Sequence, residues 1–334
     1  MQDYKNDFIK WIKSNNFENL ICIDNFEKIT ILDLSKQKIK NIPESICILK
    51  NLSVLKLSNN RIKSLPSSIG ELQKLKNLQC ENNLIEDIPV SISKLSNLLI
   101  LNLNGNRIKK IPKELCLLTN LTRLTLAANK IKHIPKDLKK LDKLLYLSFD
   151  TNEIKKIPNI FEKMNELYYL DLSFNKLTNL PKSFSKLKEL KTLLLEENKL
   201  ENIELIEELK SLTKLNLTNN NLKKIDINFK KLCKLEVLIL DENFLKELPN
   251  SILNLNNLII LSVSTNCLTN LPEDIDKLIK LEELDLEDNK LKALPNKIYK
   301  LNNLKTLYIK HNNKIKIPEN LNLNYLDILG ESYE

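Results

Sequence analysis

Leucine and isoleucine recur along the chain at a fixed spacing. The spacing is clearest when LSVLKLSNNRIKSLPSSIGELQK (52–74) is aligned with LLILNLNGNRIKKIPKELCLLTN (98–120). Both segments follow the template LxxLxLxxNxLxxLPxxIxxLxx, which has a period of 23 residues. Such a period is typical of repeat architectures, in which each unit buries its apolar stripe only against its neighbours. The repeats, numbered one to thirteen, begin at Ile29, Leu52, Leu75, Leu98, Leu121, Leu144, Leu167, Leu190, Leu212, Leu235, Leu258, Leu281 and Leu304.

Each repeat contains a predicted strand and a return segment. The LxL part alternates inward and outward residues, which predicts a short strand that pairs in parallel with those of neighbouring repeats. Proline at position 15 has a fixed φ and no N–H, so we expect an irregular return segment that needs no ladder hydrogen bond there. Apolar residues at positions 14, 18 and 21, such as Leu65, Ile69 and Leu72, are expected to close the core.

Two positions are nearly invariant along the chain. Position 9 is Asn in 12 of the 13 repeats, with Gln37 as the exception, and all 11 prolines occupy position 15. This motif resembles the leucine-rich repeat family, and its LPxxIxxL phase is similar to the intracellular subclass of Ras-pathway scaffolds and plant Ras-group repeat proteins. The resemblance implies an α/β fold, a right-handed curved horseshoe solenoid with a parallel sheet on its concave face. It also implies that the buried Asn amides bond the backbone of adjacent turns.

The pattern divides the chain into three predicted parts: an N-terminal helical cap (1–28), thirteen leucine-rich repeats (29–322) and a C-terminal cap (323–334). In the first part, Tyr4, Phe8, Ile9, Trp11 and Ile12 form an apolar face that predicts a helix over residues 3–13. A last strand is predicted over 323–328. Repeat eight has 22 residues, and its ELIEELKS segment predicts a helical turn where proline is missing.

The composition of the chain limits both its possible structural features and its cellular compartment. The chain has 3 glycines and 5% aromatic residues, so phosphate-cradling loops are excluded and aliphatic side chains must build the core. The N-terminal segment is charged, which does not fit a signal peptide, and no apolar run reaches membrane-spanning length. Six cysteines lie far apart without a CxxC pair. These features predict a cytoplasmic protein.

The outward positions of the strand segment predict a binding surface. In the family's geometry, positions 2, 3, 5, 7 and 8 face the concave surface, where they carry 8 Lys+Arg against 14 Asp+Glu, although the chain has a net charge of +9. The acidic residues concentrate in repeats ten and twelve: Glu236, Asp241, Glu242, Glu282, Glu283, Asp285, Glu287 and Asp288. Repeats six and seven place an apolar, mainly aromatic group on the same face: Leu145, Tyr146, Tyr168, Tyr169 and Phe174.

These surfaces predict a protein-binding function without catalysis. The aromatic group would anchor a partner and the acidic group would select a basic one. By resemblance, the protein is a monomeric cytoplasmic scaffold or adaptor in signal transduction, with a small GTPase or a phosphatase as partner. The alternatives are a microbial effector that acts on host proteins, a weak convex contact with an anionic membrane or RNA, and a structural array without a partner.

Candidate chemistry is sparse. His133 and His311 have no Ser or Cys nucleophile placed beside them by the repeat geometry, so we expect no catalytic triad. The cysteines do not cluster as zinc ligands, and DLEDN lacks the glycine-centred loop of a calcium site. No cofactor or metal is expected. Lysines such as Lys109 and Lys156 lie on turns, and the acidic concave face would repel phosphate, so nucleic acid is not an expected partner.

Overall fold

The fold is described from a computed structural model, which covers residues 2–21, 25–312, 315–318 and 327–329. The chain forms two compact units, Met1–Leu167 (unit one) and Tyr168–Glu334 (unit two).

Unit one begins with helix α1, Gln2–Ser14, and continues with alternating strands and 3-10 helices. Its strands are β1 Ile31–Asp33, β2 Val54–Lys56, β3 Asn77–Gln79, β4 Ile100–Asn102, β5 Arg123–Thr125 and β6 Tyr146–Ser148. Its 3-10 helices are Phe26–Lys28, Glu44–Ile48, Ser67–Glu71, Val90–Lys94, Lys113–Leu117, Lys136–Lys140 and Phe161–Lys163.

Unit two repeats the same alternation. Its strands are β7 Tyr169–Asp171, β8 Thr192–Leu194, β9 Lys214–Asn216, β10 Val237–Ile239, β11 Ile260–Ser262, β12 Glu283–Asp285, β13 Thr306–Tyr308 and β14 Asp327–Leu329. Its 3-10 helices are Lys182–Lys186, Glu204–Glu208, Phe229–Lys231, Asn250–Asn254, Ile275–Lys277 and Asn296–Lys300. The predicted strand over 323–328 begins later, at Asp327, and pairs with β13; residues 319–326 and 330–334 lie outside the described residues.

Consecutive strands within each unit pair in parallel, with the same repeat position always opposite itself. Leu55, Leu78 and Leu101 therefore form one row of buried side chains. The strands occupy positions 3 to 5, one residue earlier than predicted. The N–H of Leu57 at position 6 still donates to the Gln79 carbonyl at 2.7 Å, so the chain stays bonded to its neighbour while it turns off the sheet. The predicted α/β class with a parallel sheet is confirmed in both units.

The return segments are ordered, so the prediction that they are irregular was wrong. Proline usually precedes a 3-10 helix, where its fixed φ fits and its missing N–H is not needed. Pro66 has φ −65°, and its carbonyl accepts from the Ile69 N–H at 3.1 Å. In the same way, the Pro43 carbonyl accepts from the Ile46 N–H, and the Pro249 carbonyl accepts from the Ile252 N–H. Proline therefore starts a helical turn in these repeats.

The convex side of unit one contains a close approach between neighbouring backbones. Gly70 is buried, and a Cβ placed on it would lie 2.3 Å from the Ser91 carbonyl oxygen. A backbone atom cannot move aside as a flexible side chain can, so this site requires glycine.

Helix α1 caps the first repeat, as its apolar face predicts. Phe8 and Ile12 are completely buried, and the Phe8 ring packs edge-on against Phe26 with ring centroids 5.4 Å apart. Trp11 donates its indole N–H to the Asn41 carbonyl at 3.3 Å, which ties the helix to repeat one. Tyr4 is 47% exposed, so its predicted place on the apolar face does not bring it into the core.

Repeats eight and nine replace proline with polar contacts. The helical turn predicted for ELIEELKS is the 3-10 helix Glu204–Glu208, whose first N–H donates to Asn202 Oδ1 at 2.8 Å. Lys231 bridges Glu207 and Glu208 at 2.8 and 2.9 Å. Hydrogen bonds and ion pairs thus hold the return segments of repeats eight and nine, which lack the fixed φ of proline.

Candidate functional site on the strand face

An asparagine ladder holds the turn that follows each strand. Asn106 Nδ2 donates to the carbonyls of Cys80, Leu103 and Asn104 at 3.0–3.1 Å, and its Oδ1 accepts from the Ile85 N–H at 3.0 Å. The backbone contacts of the buried Asn amides, which the family resemblance implies, are therefore present. Because the ladder joins each repeat to the previous one, it fixes where the neighbouring outward residues stand.

Position 8, immediately before the ladder, has a left-handed backbone in all thirteen repeats. Glycine occupies it once, as Gly105, whereas Phe174 and Thr265 both have φ +50°. This conformation costs a non-glycine residue roughly 1–2 kcal/mol. It is held by backbone bonds such as that from the Glu242 N–H to the Ser264 carbonyl at 3.0 Å. The strained turn aims each position-8 side chain outward.

Two of the predicted acidic residues also support the turn. Asp241 Oδ1 accepts from Ser262 Oγ at 2.6 Å and from the Ser264 N–H at 2.9 Å, which links repeats ten and eleven. Asp285 Oδ1 accepts from the Glu287 N–H at 3.0 Å. The predicted site does not include these two serines of repeat eleven, because neither of them carries a charge. The 23-residue offset between Asp241 and Ser264 is the signal that could have revealed them.

The Asp285 carboxyl is the most perturbed acid of this face. Burial raises its pKa to about 6; the Glu287 N–H opposes the shift, while the negative charges of Asp241 and Glu287 add to it. Strand pairing causes the burial, because β12 lies between Ser262 of β11 and Tyr308 of β13. The protonation of Asp285 therefore changes near neutral pH.

Repeat thirteen neutralises part of the acidic group. Lys305 pairs with Glu282 at 2.6 Å, and His311 Nδ1 lies 3.2 Å from Asp288 Oδ1. In the described part of the chain, the remaining acids with no salt-bridge partner are Glu236, Glu242, Glu283, Asp285, Glu287 and Asp241. A cluster of negative charge therefore remains on repeats ten to twelve. We call the eight predicted acidic residues, which are these six together with Glu282 and Asp288, the acidic face.

The predicted aromatic group is divided between the two units. In unit one, Leu145 and Tyr146 are half-buried, and the Arg123 guanidinium lies 4.2 Å from the centre of the Tyr146 ring. In unit two, Tyr168 and Phe174 are 39% and 46% exposed, and Tyr169 is half-buried.

Within unit two, the aromatic and acidic residues share one face of the sheet. Tyr169 of β7 occupies position 3 of its repeat, and Asp285 of β12 occupies position 5 of its repeat. The leucine at position 4, between these two positions, is buried in both strands. Side chains at alternate strand positions point to the same face, so the strand positions of Tyr169 and Asp285 put both side chains on one face of the sheet.

Other chemistry is limited in the residues that the structure describes. They contain no group of three or more His, Cys, Asp or Glu side chains that could hold a metal ion. Burial raises the pKa of the Cys116 thiol to about 12, which makes it unreactive at neutral pH. None of the described helices combines the length and apolar character needed to cross a membrane.

Parallel strands, 3-10 return segments and an asparagine ladder, repeated at 23 residues, define a solenoid repeat protein. A model for the leucine rich repeat matches residues 73–131, 119–177, 165–222 and 233–291, and a two-copy model matches 50–94. The chain belongs to the leucine-rich repeat family. Proteins of this family are generally interaction modules, and no enzyme family is indicated.

Solved structures agree with this assignment, whereas the search of curated proteins by sequence found no match. A leucine-rich repeat protein of Leptospira interrogans is 29% identical, with 92% of this chain and 97% of that chain covered and a TM-score of 0.62. An internalin (InlF) of Listeria monocytogenes is 24% identical over 92% and 88%, with a TM-score of 0.69. The plant peptide hormone receptor RGFR1, in complex with RGF2, is 25% identical over 86% and 56%, with a TM-score of 0.65.

Proposed function

We propose that the acidic face docks a basic segment of a partner protein. The observation that carries the proposal is the concentration of carboxylates on repeats ten to twelve in a chain with a net charge of +9. Charge of one sign on one face raises the association rate of an oppositely charged partner and disfavours wrong ones.

The arrangement of the carboxylates favours an extended basic segment. Val237, Ile260 and Glu283 lie opposite one another at position 3 of successive strands, so a half-buried apolar row leads into the acid. Neighbouring strands are about 4.8 Å apart, and lysines on a segment that crosses them could reach Glu242 and Glu283 on different repeats. The apolar row would cover the aliphatic part of each lysine.

The exposed rings of repeat seven would supply an apolar anchor. Tyr168 and Phe174 expose more than a third of their surface, and aromatic side chains of this kind are enriched among residues that dominate binding energy. Every repeat has a left-handed backbone at position 8. Phe174 therefore differs from the other residues at this position in its aromatic side chain and not in its backbone conformation.

The wider role follows from the sequence pattern. A scaffold or adaptor in the cytoplasm, acting as a monomer, fits the LPxxIxxL phase, and by resemblance its partner is a small GTPase or a phosphatase. The free thiols of Cys47, Cys80, Cys116, Cys233 and Cys267 support a reducing environment. The Listeria and plant structures concern an internalin and a receptor, so the compartment is the first point to establish.

The docking proposal is tested with a fluorescent peptide that alternates lysine with apolar residues. Fluorescence anisotropy should show binding to the wild-type protein, and the same peptide with glutamate for lysine should not bind. Changing Glu242, Glu283 and Glu287 to Lys should weaken binding at least about tenfold, because reversing a complementary charge costs more than removing it. Added salt should weaken wild-type binding in the same direction.

A matched control separates this face from net charge. The exposed residues Glu189, Glu247 and Glu273 belong to the same unit but lie outside the strand positions. Changing these three to Lys alters the net charge equally and should leave binding within about twofold, because exposed charges outside the contact surface are screened by salt. Equal losses in both variants, or equal binding of both peptides by the wild type, would refute the proposal.

A further inference from the structure

A second charged surface lies in unit one, on the turns that follow the strands. Positions 10, 12 and 13 of repeats four to six carry seven Lys and Arg residues and one carboxylate. We call this surface the basic edge: Arg107, Lys109, Lys110, Lys130, Lys132, His133, Glu153, Lys155 and Lys156. All are exposed apart from Glu153, which is half-buried.

The backbone holds these residues in rows. The N–H at position 10 donates to the carbonyl at position 11 of the previous repeat, as from Arg107 to Ile85 at 2.8 Å and from Lys130 to Ile108 at 2.9 Å. Isoleucines at positions 11 and 14, such as Ile108 and Ile111, are buried, so positions 12 and 13 between them must face outward. The cations therefore stand at the repeat spacing on a fixed frame, about 5 Å apart along each row.

Neighbouring acids do little to neutralise the basic edge. Lys109 lies 3.9 Å from Glu86, and Lys132 lies 3.9 Å from Glu153. Both pairs are long and exposed, and such pairs contribute little. On the strand face of the same three repeats, positions 2, 3, 5, 7 and 8 contain one Arg and one Asp, Arg123 and Asp150. In these three repeats the basic edge is thus strongly positive, whereas the strand face has no net charge.

The kind of residue indicates the kind of anion. Proteins that bind single-stranded nucleic acid stack bases on aromatic rings, and those that read base edges use Arg, Asn and Gln. Apart from His133, the basic edge has no ring, and it has one arginine and no amide. Six lysines on a frame fit many anions spread over a plane, because lysine acts as a mobile point charge. Clusters of four to eight basic residues are typical of contacts with anionic lipid.

We propose that the basic edge of repeats four to six docks the protein on the surface of anionic lipid bilayers. Binding is electrostatic and reversible, since the edge inserts no apolar group. It does not depend on the acidic face, so the protein could hold a basic partner and a membrane by separate surfaces.

Vesicle flotation tests this proposal with the full chain. Wild-type protein should float with phosphatidylcholine vesicles that contain about a third phosphatidylserine and not with phosphatidylcholine alone. Changing Lys109, Lys132 and Lys155 to Glu should lower the partition coefficient at least about a hundredfold, given the contribution of each basic residue near such a surface. Changing the same three to Gln should cause a smaller loss.

The control uses the same repeat position in unit two. Lys223, Lys246 and Lys292 are exposed and also occupy position 12, so changing them to Glu gives the same net charge. This variant should retain most of the vesicle binding. Equal loss in both variants, or flotation that does not depend on phosphatidylserine, would overturn the proposal. Binding to a single-stranded RNA homopolymer without binding to vesicles would assign the edge to nucleic acid and overturn it as well.

Discussion

Positions 8 and 9 are adjacent in every repeat, yet they differ in almost every physical respect. Position 9 is a buried Asn whose amide bonds three carbonyls and one N–H, as in Asn106. Position 8 accepts Lys, Asn, Gly, Ala, Thr, Phe, Glu, Asp and His with the same left-handed backbone. One position is fixed by side-chain chemistry and the other by backbone geometry alone.

This difference separates stability from recognition along the chain. The inner position must satisfy the same backbone groups in each repeat, so its residue hardly varies. The outer position has its backbone held by the ladder and by neighbouring strands, which leaves its side chain free to serve a partner. Phe174, Glu242 and Asp288 of the predicted binding surface all occupy position 8.

Replacing Asn106 with Ala should produce the largest effect. The buried Ile85 N–H would lose its acceptor, and an orphaned buried group costs about 1–3 kcal/mol. The carbonyls of Cys80 and Leu103 would each lose one of two donors and keep the other, from Asn83 and Asn129 respectively. We expect the free energy of unfolding to fall by about 3 kcal/mol, measured by urea denaturation followed by circular dichroism.

Gln37 provides the control, because it occupies position 9 in repeat one but is exposed, and its amide contacts only the nearby Ser35 carbonyl at 3.2 Å. Gln37→Ala should change stability by less than about 0.5 kcal/mol. Similar losses at Asn106 and Gln37 would mean that the ladder is not the source of the stability.

The inner side of the molecule could be predicted almost completely from the sequence. The recurrence of Asn at position 9 and of Leu at position 4 gives the period and the core, and the resemblance to a known family adds the ladder. The return segments were mistaken for irregular structure because the lack of an N–H in proline excludes a ladder bond but not a 3-10 turn. Pro66 and Pro249 supply the carbonyl that starts this turn.

Asp285→Asn should raise stability at pH 7.5 by about 1 kcal/mol. The folded-state pKa of about 6 lies above the ordinary value, so the native state binds more protons between about pH 4 and 6. Stability therefore falls as the pH rises through this window, and the penalty persists above it. A shift of two units corresponds to about 2.7 kcal/mol, which incomplete burial reduces. Asn keeps the acceptor for the Glu287 N–H.

Asp33 is a control of opposite sign at the same repeat position. It accepts from the Ser35 N–H at 3.0 Å and lies 3.4 Å from Lys56. Burial works against ionisation, but these hydrogen bonds and the Lys56 charge lower the pKa of Asp33. Asp33→Asn should therefore reduce stability at pH 7.5. Urea denaturation at pH 5 and pH 7.5 compares the two, and a loss of stability in Asp285→Asn at pH 7.5 would contradict this explanation.

The candidate site was predictable in direction but not in detail. The repeat phase places Tyr169 and Asp285 on one face of unit two. It does not show that Asp241 and Asp285 support turns, that Lys305 pairs with Glu282, or that His311 lies beside Asp288. Apart from the Asp285–Glu287 contact within one turn, those contacts join residues 21 to 23 positions apart. All of them depend on side-chain conformations that a one-dimensional pattern does not fix.

Thr265→Gly should have the smallest effect, and its sign tests whether position 8 is strained. Thr265 is exposed, has φ +50° and is β-branched, which makes this conformation costly. Glycine removes that cost but loses more chain entropy on folding, so we expect a net gain of about 0.5 kcal/mol in the free energy of unfolding. Thr269 is an exposed threonine of the same repeat without a positive φ. Changing it to Gly should instead lower the free energy of unfolding by about 1 kcal/mol. Urea denaturation of the two variants gives the comparison. If Thr265→Gly destabilises the protein as much as Thr269→Gly, the left-handed backbone does not strain the threonine side chain. Position 8 would then hold many residue types because this conformation costs them little.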